Sequence, residues 1–362
     1  MAKNILRRNS VDTLRWHTEL MQGVGKENYM EYLWFDGVFD GGYYLRVAPF
    51  NSHAPGSHGV KGSGIPSFGF DLGLPDGSVI DHVEIYKPEE FKTAEFGGYW
   101  GDNALLIGKV NDKGEILEYQ IKFDLNNVQV DLTATCVAKT GIQFVENDNG
   151  YSYYHPQKQV AMGWWPMAPR SEVKGTISFN GKTINVQGPA YLDKQVSNKD
   201  ETFGGTGQAW WTWGHFFCGP YTATFTDSAA TAKYKYRHFS PFILWKGSEI
   251  VLATLDHTTI VEQYSIDKVT NKFYPSVLSQ KAKDGSVEVY TQITNGVVTE
   301  VKETSLEYVK YVRQVVELTH EKLYLHILTF FRKQFYKFKH WGPFSRQIIE
   351  EVTPNSPFKD MI

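Results

Sequence analysis

The chain has 362 residues, 41% hydrophobic and 15% aromatic, with 37 Lys and Arg against 40 Asp and Glu for a net charge of -3. That is enough apolar material for two domains or one large β domain. The charge balance leaves no global positive field to hold a polyanion, which argues against nucleic acid as a partner.

The N-terminal MAKNILRRNSVDTLRW lacks the apolar core of a signal peptide, and no window approaches the roughly 20 apolar residues of a membrane helix. The Asn-x-Ser/Thr sequon is absent as well, so the expectation is a cytoplasmic protein with no integral membrane segment. Next, NSHAPGSHGVKGSGIPSFG, Asn51 to Gly69, is too rich in Gly, Pro and Ser for a strand and reads as a long loop, either a lid or a surface excursion. Apolar and polar residues then alternate through Ile116–Asp124 and Asn127–Cys136, the pattern of two half-buried strands. Asn180-Gly181 and Asn295-Gly296 each separate two alternating runs and predict hairpins, because Asn-Gly tolerates the positive φ of a two-residue turn. Between them GPAYLDKQVSN, Gly188 to Asn198, reads as the end of a strand, and the polar, Gly-rich stretch Asp193–Gly207 as a break between domains 1–205 and 206–362. Thr319–Phe338 fits a helix or a barrel strand, with Leu323, Leu325, Ile327 and Phe331 leaning to the strand by their period of two. With 32 Gly, 10 Trp, 21 Tyr and 23 Phe, the expected class is all-β.

Familiar motifs fail. GSHGVKGSG lacks a Walker Lys-Ser/Thr ending, and GGTGQAW lacks the third glycine of a dinucleotide fingerprint. His53 and His58 have no third ligand at helical or hairpin spacing, so no metal is expected. There is no Gly-x-Ser-x-Gly elbow, and Cys218 has no recognisable base. Cys136 and Cys218, the two cysteines, read as reduced thiols. Cofactors are therefore expected to be none, and isolated ionisable residues among rings describe an apolar pocket.

The run MEYLWFDGVFDGGYYL, Met30 to Leu45, resembles the opening "EWWYFDG" strand pair of the carotenoid 1,2-hydratase and AttH-like group, which includes the lipocalin-like fungal Diels-Alderases. VKGTISFNGKTINVQGPAYLDKQVSN resembles that group's hairpin leading to "G-x-Y-x-D-H-N-W-G", and WTWGHF, Trp211 to Phe216, its following "W-x-W-G" strand. The resemblance implies two tandem lipocalin-like β-sandwich or β-barrel domains and cofactor-independent chemistry on a polyene or terpenoid. The group's "DHNWG" reads Asp193-Lys194-Gln195-Val196-Ser197 here, so Asp193 carries over and a mechanism relying on the His does not.

Protonating an alkene needs a carboxylic acid kept protonated by burial, for which Asp193 and Asp36 are the candidates. The plainer alternatives are a salt bridge between Asp193 and Lys194, and a turn role for Asp36. Lys194 offers a donor to a substrate carbonyl, but alternation sends Asp193 and Lys194 to opposite faces unless a bulge intervenes. Trp211 and Trp213 share a strand face with His215, which would supply the polar end of a ring-lined pocket. Candidate substrate-lining rings are Trp34, Trp100, Trp164, Tyr191, Trp211, Trp213 and Trp341, with buried core the alternative reading for the tryptophans.

The sequence thus points to a cofactor-independent cyclase or isomerase, of pericyclase type, acting on a hydrophobic polyketide or terpenoid-like substrate as a monomer or homodimer. A hydratase or dehydratase using Asp193 as acid and a non-catalytic carrier of an apolar ligand are the alternatives. GPAYLDKQVSN and WWTWGHFF are expected to contribute to one site.

Overall fold

The structure is a computed structural model and describes residues 5–8, 29–52, 64–94, 96–112, 115–138, 142–145, 153–155, 160–198, 208–230, 238–267, 272–284, 287–293, 296–303, 309–318 and 323–332. The chain divides into two compact units, the first formed by Met1–Gly56, Val60–Asp200 and Gly247–Glu249 and the second by the remainder. No helix among the described residues is long and apolar enough to cross a membrane.

The first unit runs through β1 (Ile5–Arg8), β2 (Tyr29–Phe39), β3 (Tyr43–Ser52), β4 (Ser67–Gly73), β5 (Val79–Ile85), β6 (Phe91–Ala94) and β7 (Gly97–Trp100). It continues with β8 (Ala104–Val110), β9 (Ile116–Leu125), β10 (Val128–Cys136), β11 (Ile142–Val145), β12 (Tyr153–His155) and two long strands, β13 (Val160–Phe179) and β14 (Lys182–Asn198). One antiparallel sheet carries the order β5-β4-β3-β2-β14-β13-β10-β9-β8-β7-β6, with β12 on β13 and a separate β1-β11 pair. The sheet curls on itself: Phe68 and Phe70 of β4 meet Phe123 of β9 at ring distances of 5.4 and 4.8 Å, although these strands are far apart in the order. The interior so formed is filled with rings and aliphatic side chains, among them Leu33, Phe35, Trp100, Tyr119, Trp165 and Leu192.

The second unit holds β15 (Gln208–Cys218), β16 (Tyr221–Ala230), β17 (His238–Phe239), β18 (Phe242–Lys246), β19 (Glu249–Thr254) and β20 (His257–Asp267). Then follow β21 (Lys272–Asp284), β22 (Val287–Ile293), β23 (Gly296–Glu303), β24 (Val309–Leu318) and β25 (Leu323–Arg332). They form a sheet in the order β19-β18-β16-β15-β25-β24-β23 and a smaller one, β20-β21-β22. Its core gathers Phe216, Phe225, Phe242, Leu244, Leu252 and Leu278.

Several sequence expectations meet these elements directly. Asn180 and Gly181 take φ of 49° and 74° between the paired residues Phe179 and Lys182, the two-residue hairpin that Asn-Gly favours. The strands expected over Ile116–Asp124 and Asn127–Cys136 are β9 and β10, and the ambiguous C-terminal run contains the strand β25. No disulfide joins Cys136 and Cys218. Residues 53–63, including His53 and His58, lie outside the described residues, while the ends of that expected loop belong to β3 and β4.

Two expectations are corrected. GPAYLDKQVSN does not break its strand at Asp193: it forms the continuous C-terminal end of β14, because its polar residues find partners within the sheet and Gly188 admits the carbonyl of Val38 where a Cβ would sit 2.2 Å from that oxygen. The strands flanking Asn295-Gly296 do not form a hairpin: β22 pairs with β21 and β23 with β24 in another sheet. Local turn chemistry permits a reversal, but long-range pairing chooses the partner strand.

Candidate functional site

Alternation along β2 and β14 builds the candidate site on both faces of one strand pair. Asp193 stands opposite Trp34, and Tyr191 opposite Asp36, whereas Lys194 stands opposite Leu33. Directly opposed residues share a face, so Asp193, Tyr191, Trp34 and Asp36 project to one side and Lys194 projects with Leu33 into the interior. There is no bulge between Asp193 and Lys194 to bring them together.

On the outward side Asp193 is fully buried, and its Oδ2 accepts hydrogen bonds from Trp164 Nε1 at 2.7 Å and Tyr191 OH at 2.9 Å. An indole N–H can only donate, so this oxygen serves as an acceptor. Asp36 is not a turn residue: it sits inside β2, is buried, and its Oδ2 accepts from Trp34 Nε1 at 2.6 Å. The guanidinium of Arg46 lies 5.0 Å from the centre of the Trp34 ring and pairs with Asp71; both are buried. Arg46 links Asp36 on β2 to Asp71 on β4 by direct cross-strand opposition.

Inside the curl, the ammonium of Lys194 lies 2.6 Å from Glu31 Oε1, with side-chain exposures of 0% and 2%. The expected partner Asp193 is thus replaced by a residue on the next strand, because the pleat turns Asp193 away. Asn51 completes the group, donating from Nδ2 to Glu31 Oε2 at 2.5 Å. It is the extra residue of an irregularity in which Ser52 opposes Glu31 and Phe50 opposes Tyr32. The indole of Trp165, opposite Lys194, folds over Gly163, where a Cβ would sit 2.0 Å from the ring.

The remaining nominated residues separate. Trp100 is a core residue of the first unit: it is fully buried, donates to the Phe50 carbonyl at 2.7 Å, and meets Phe68 and Phe91 at ring distances of 5.5 and 5.1 Å. In the second unit Trp213, His215 and Phe217 follow one another along one face of β15 in edge-on and tilted contact, with ring distances of 5.6 and 5.3 Å, while Phe216 on the other face joins the core. Trp211 belongs to β15, but its side chain and the whole of Trp341 lie outside the described residues. Asp193 and Trp213 belong to different units.

Glu31, Asn51, Arg46 and Asp71 escaped sequence reasoning. Their signal is an ionisable or amide side chain inside a strand whose neighbours are all buried, as in the burial of every residue from Met30 to Asp36. Among the described residues no group of three or more His, Cys, Asp or Glu side chains is arranged to hold a metal ion.

The second unit carries another buried polar group. Ser240 Oγ lies 2.9 Å from His257 Nδ1, and Asp227 pairs with His238 through Oδ1 while its Oδ2 accepts from the Thr259 N–H at 3.3 Å. Burial, partly offset by the nearby Asp227 carboxylate, pushes the His257 imidazole down to about 4.

The curled antiparallel sheet of the first unit and the antiparallel sheets of the second give the chain a lipocalin-like, AttH-type fold. A putative AttH from Nitrosomonas europaea matches with TM-score 0.58 and 13% identity, covering 84% of this chain and 92% of that one. CghA with Sch210972 bound matches with TM-score 0.57, 13% identity and coverage of 84% and 88%, and a second CghA structure with TM-score 0.50, 12% identity and the same coverage. No curated protein matches the chain. The Svf1 family model matches residues 87–315, more than half of the sequence, and the chain belongs to the Svf1 family.

Proposed function

We propose that this protein binds an apolar small molecule and holds it unchanged, by shape and ring contact, without a cofactor. One observation carries the reading: Asp193, Asp36, Arg46, Lys194 and Glu31 are each tied to a neighbour within the first unit. A general acid or base must instead reach the substrate's proton with its own polar atom. The buried rings around these groups supply apolar contact, and the polar groups order the strands that present them.

A second reading is cyclisation or isomerisation of a polyketide or terpenoid-like substrate by templating, which needs the same ring-lined surface and no proton transfer. It is favoured by the fold shared with CghA, a protein solved with the small molecule Sch210972. Hydration with Asp193 as acid is a third reading, in which Oδ2 stays with its two donors, Trp164 and Tyr191, and Oδ1 would have to carry the proton.

The test is recovery of the bound molecule. The protein is purified from its own cells, extracted with organic solvent, and the extract is analysed by mass spectrometry and chromatography before and after prolonged incubation with fresh protein. The reading expects an apolar molecule in near-stoichiometric amount, with mass and retention unchanged. A time-dependent product, whether isomeric or differing by water, overturns carriage in favour of catalysis.

A further inference from the structure

We propose that β5 is a docking edge for a second copy of this chain, whose own β5 pairs with it antiparallel about a two-fold axis at Val83.

β5 ends the large sheet of the first unit: it pairs with β4, and no described strand pairs with its other edge. The hydrogen bonds at the two ends of the β4–β5 hairpin fix which backbone groups that edge presents. Leu74 donates its N–H to the Ser78 carbonyl at 2.8 Å and Tyr86 donates to the Pro66 carbonyl at 3.0 Å, and the register between these pairs has no shift. Even-numbered residues of β5 therefore bond to β4, while Val79, Asp81, Val83 and Ile85 direct their N–H and C=O groups away from it. Natural edges are blunted by Lys, Pro or a bulge. β5 contains none of these, and it adds an apolar row: Val79, Val83 and Ile85 are 42%, 41% and 56% exposed. An edge of this kind is a template for another strand.

The sequence of β5 favours itself as that strand. Odd-numbered residues must meet odd-numbered residues to exchange hydrogen bonds, so the axis falls on a residue and not between two. An axis on Asp81 sets two carboxylates face to face, and one on His82 sets two imidazoles face to face and Ile80 against Glu84. An axis on Val83 instead places Val83 against Val83, Asp81 against Ile85 and His82 against Glu84 of the second copy, each repeated by symmetry. His82 already lies 2.8 Å from Glu84 of its own chain, with side-chain exposures of 29% and 43%, so two such pairs interleave across the axis. Lys87, extended at φ -74° and ψ 153°, continues the strand and comes diagonal to Asp81 of the second copy. Opposite charges adjoin on both sides of a valine contact, and this complementarity selects a second copy over an unrelated extended peptide.

The experiment uses the full chain over about 1–200 µM, because one added strand pair is a small interface and its dimer dissociates readily. Sedimentation equilibrium should show the mass rising from one chain towards two across this range. Val83→Lys sets two cations against each other at the axis and should raise the dissociation constant at least about 5-fold. A mass that stays at one chain throughout, or a dissociation constant unmoved by Val83→Lys, overturns the proposal. Cysteine cross-linking checks the register, with the natural protein, which keeps Cys136 and Cys218, as the baseline. At the axis the two Val83 Cα atoms lie about 5.5 Å apart, within disulfide reach. Val79, equally exposed, faces Lys87 of the second copy and lies roughly 27 Å from the other Val79. Under mild oxidation Val83→Cys should therefore form a disulfide-linked dimer at least about 10-fold faster than Val79→Cys. Equal rates, or faster linking through Val79→Cys, overturn the proposal and assign any dimer to another surface.

Discussion

Asp193 and Lys194, adjacent in sequence, are turned back to back across β14: the carboxylate is held by Trp164 and Tyr191 on one face, and the ammonium by Glu31 on the other. Each therefore reports on a different surface of the same sheet. Their substitutions separate two questions, proton transfer on the outward face and polar burial in the interior.

For Asp193→Asn, the amide oxygen can take the place of Oδ2 and keep both donors, while the charge that strengthens those bonds is lost. A stability loss of about 1–2 kcal/mol is expected, with affinity for the fluorescent apolar probe N-phenylnaphthylamine essentially unchanged. Denaturant unfolding and probe titration check the two halves. A fall in turnover of about 10²-fold on any substrate would restore Asp193 as a general acid.

Lys194→Met leaves Glu31 in the apolar interior without its cation, and a loss of about 3–5 kcal/mol is expected. Adding Glu31→Leu should recover most of that loss, because the second change removes the stranded charge. Denaturant midpoints of the natural protein, both single variants and the double variant close the cycle. If the double variant is no more stable than Lys194→Met alone, the ion pair does not act as a unit.

These residues show where the sequence was legible and where it was not. Alternation alone separated Asp193 from Lys194 and placed Trp213 with His215, because a strand's period of two is a local property. Asn180-Gly181 likewise announced its own turn. Partner choice was not local: Lys194 found Glu31, more than 160 positions away in the chain, and Asn51 entered the site through an irregularity between β2 and β3 that no composition signals. Polarity misled at GPAYLDKQVSN, where buried charges with partners look in sequence like an exposed break.

His257 predicts a pH dependence. Its imidazole is pushed down to about 4 by burial, from an ordinary 6.5, with Asp227, His238, Ser240 and Thr259 around it. Above pH 6.5 the ring is neutral whether folded or unfolded and contributes nothing to the pH slope. Below that the unfolded chain takes a proton the folded chain refuses, so stability falls as the pH drops from 6.5 to about 4 and then levels. The full span corresponds to about 3 kcal/mol. His257→Phe should flatten this part of a thermal-melting profile, and an unchanged slope would assign the acid sensitivity to other groups.

Tyr119 offers the opposite case, a polar atom whose removal should help. Its ring is fully buried in the first unit's core and its hydroxyl has no hydrogen-bond partner among the described residues. Burial holds the phenol well above its usual range, with the nearby Cys136 adding to the effect. Tyr119→Phe deletes an oxygen that water hydrates in the unfolded chain and nothing replaces in the fold. An increase in stability of about 1 kcal/mol is therefore expected, read as a higher denaturant midpoint at unchanged slope. Asn51→Leu also removes an unpartnered acceptor, but it strips Glu31 of a donor, so the two variants should move in opposite directions. A loss of stability in Tyr119→Phe would mean that the hydroxyl is satisfied in solution, by an internal water or a bound molecule.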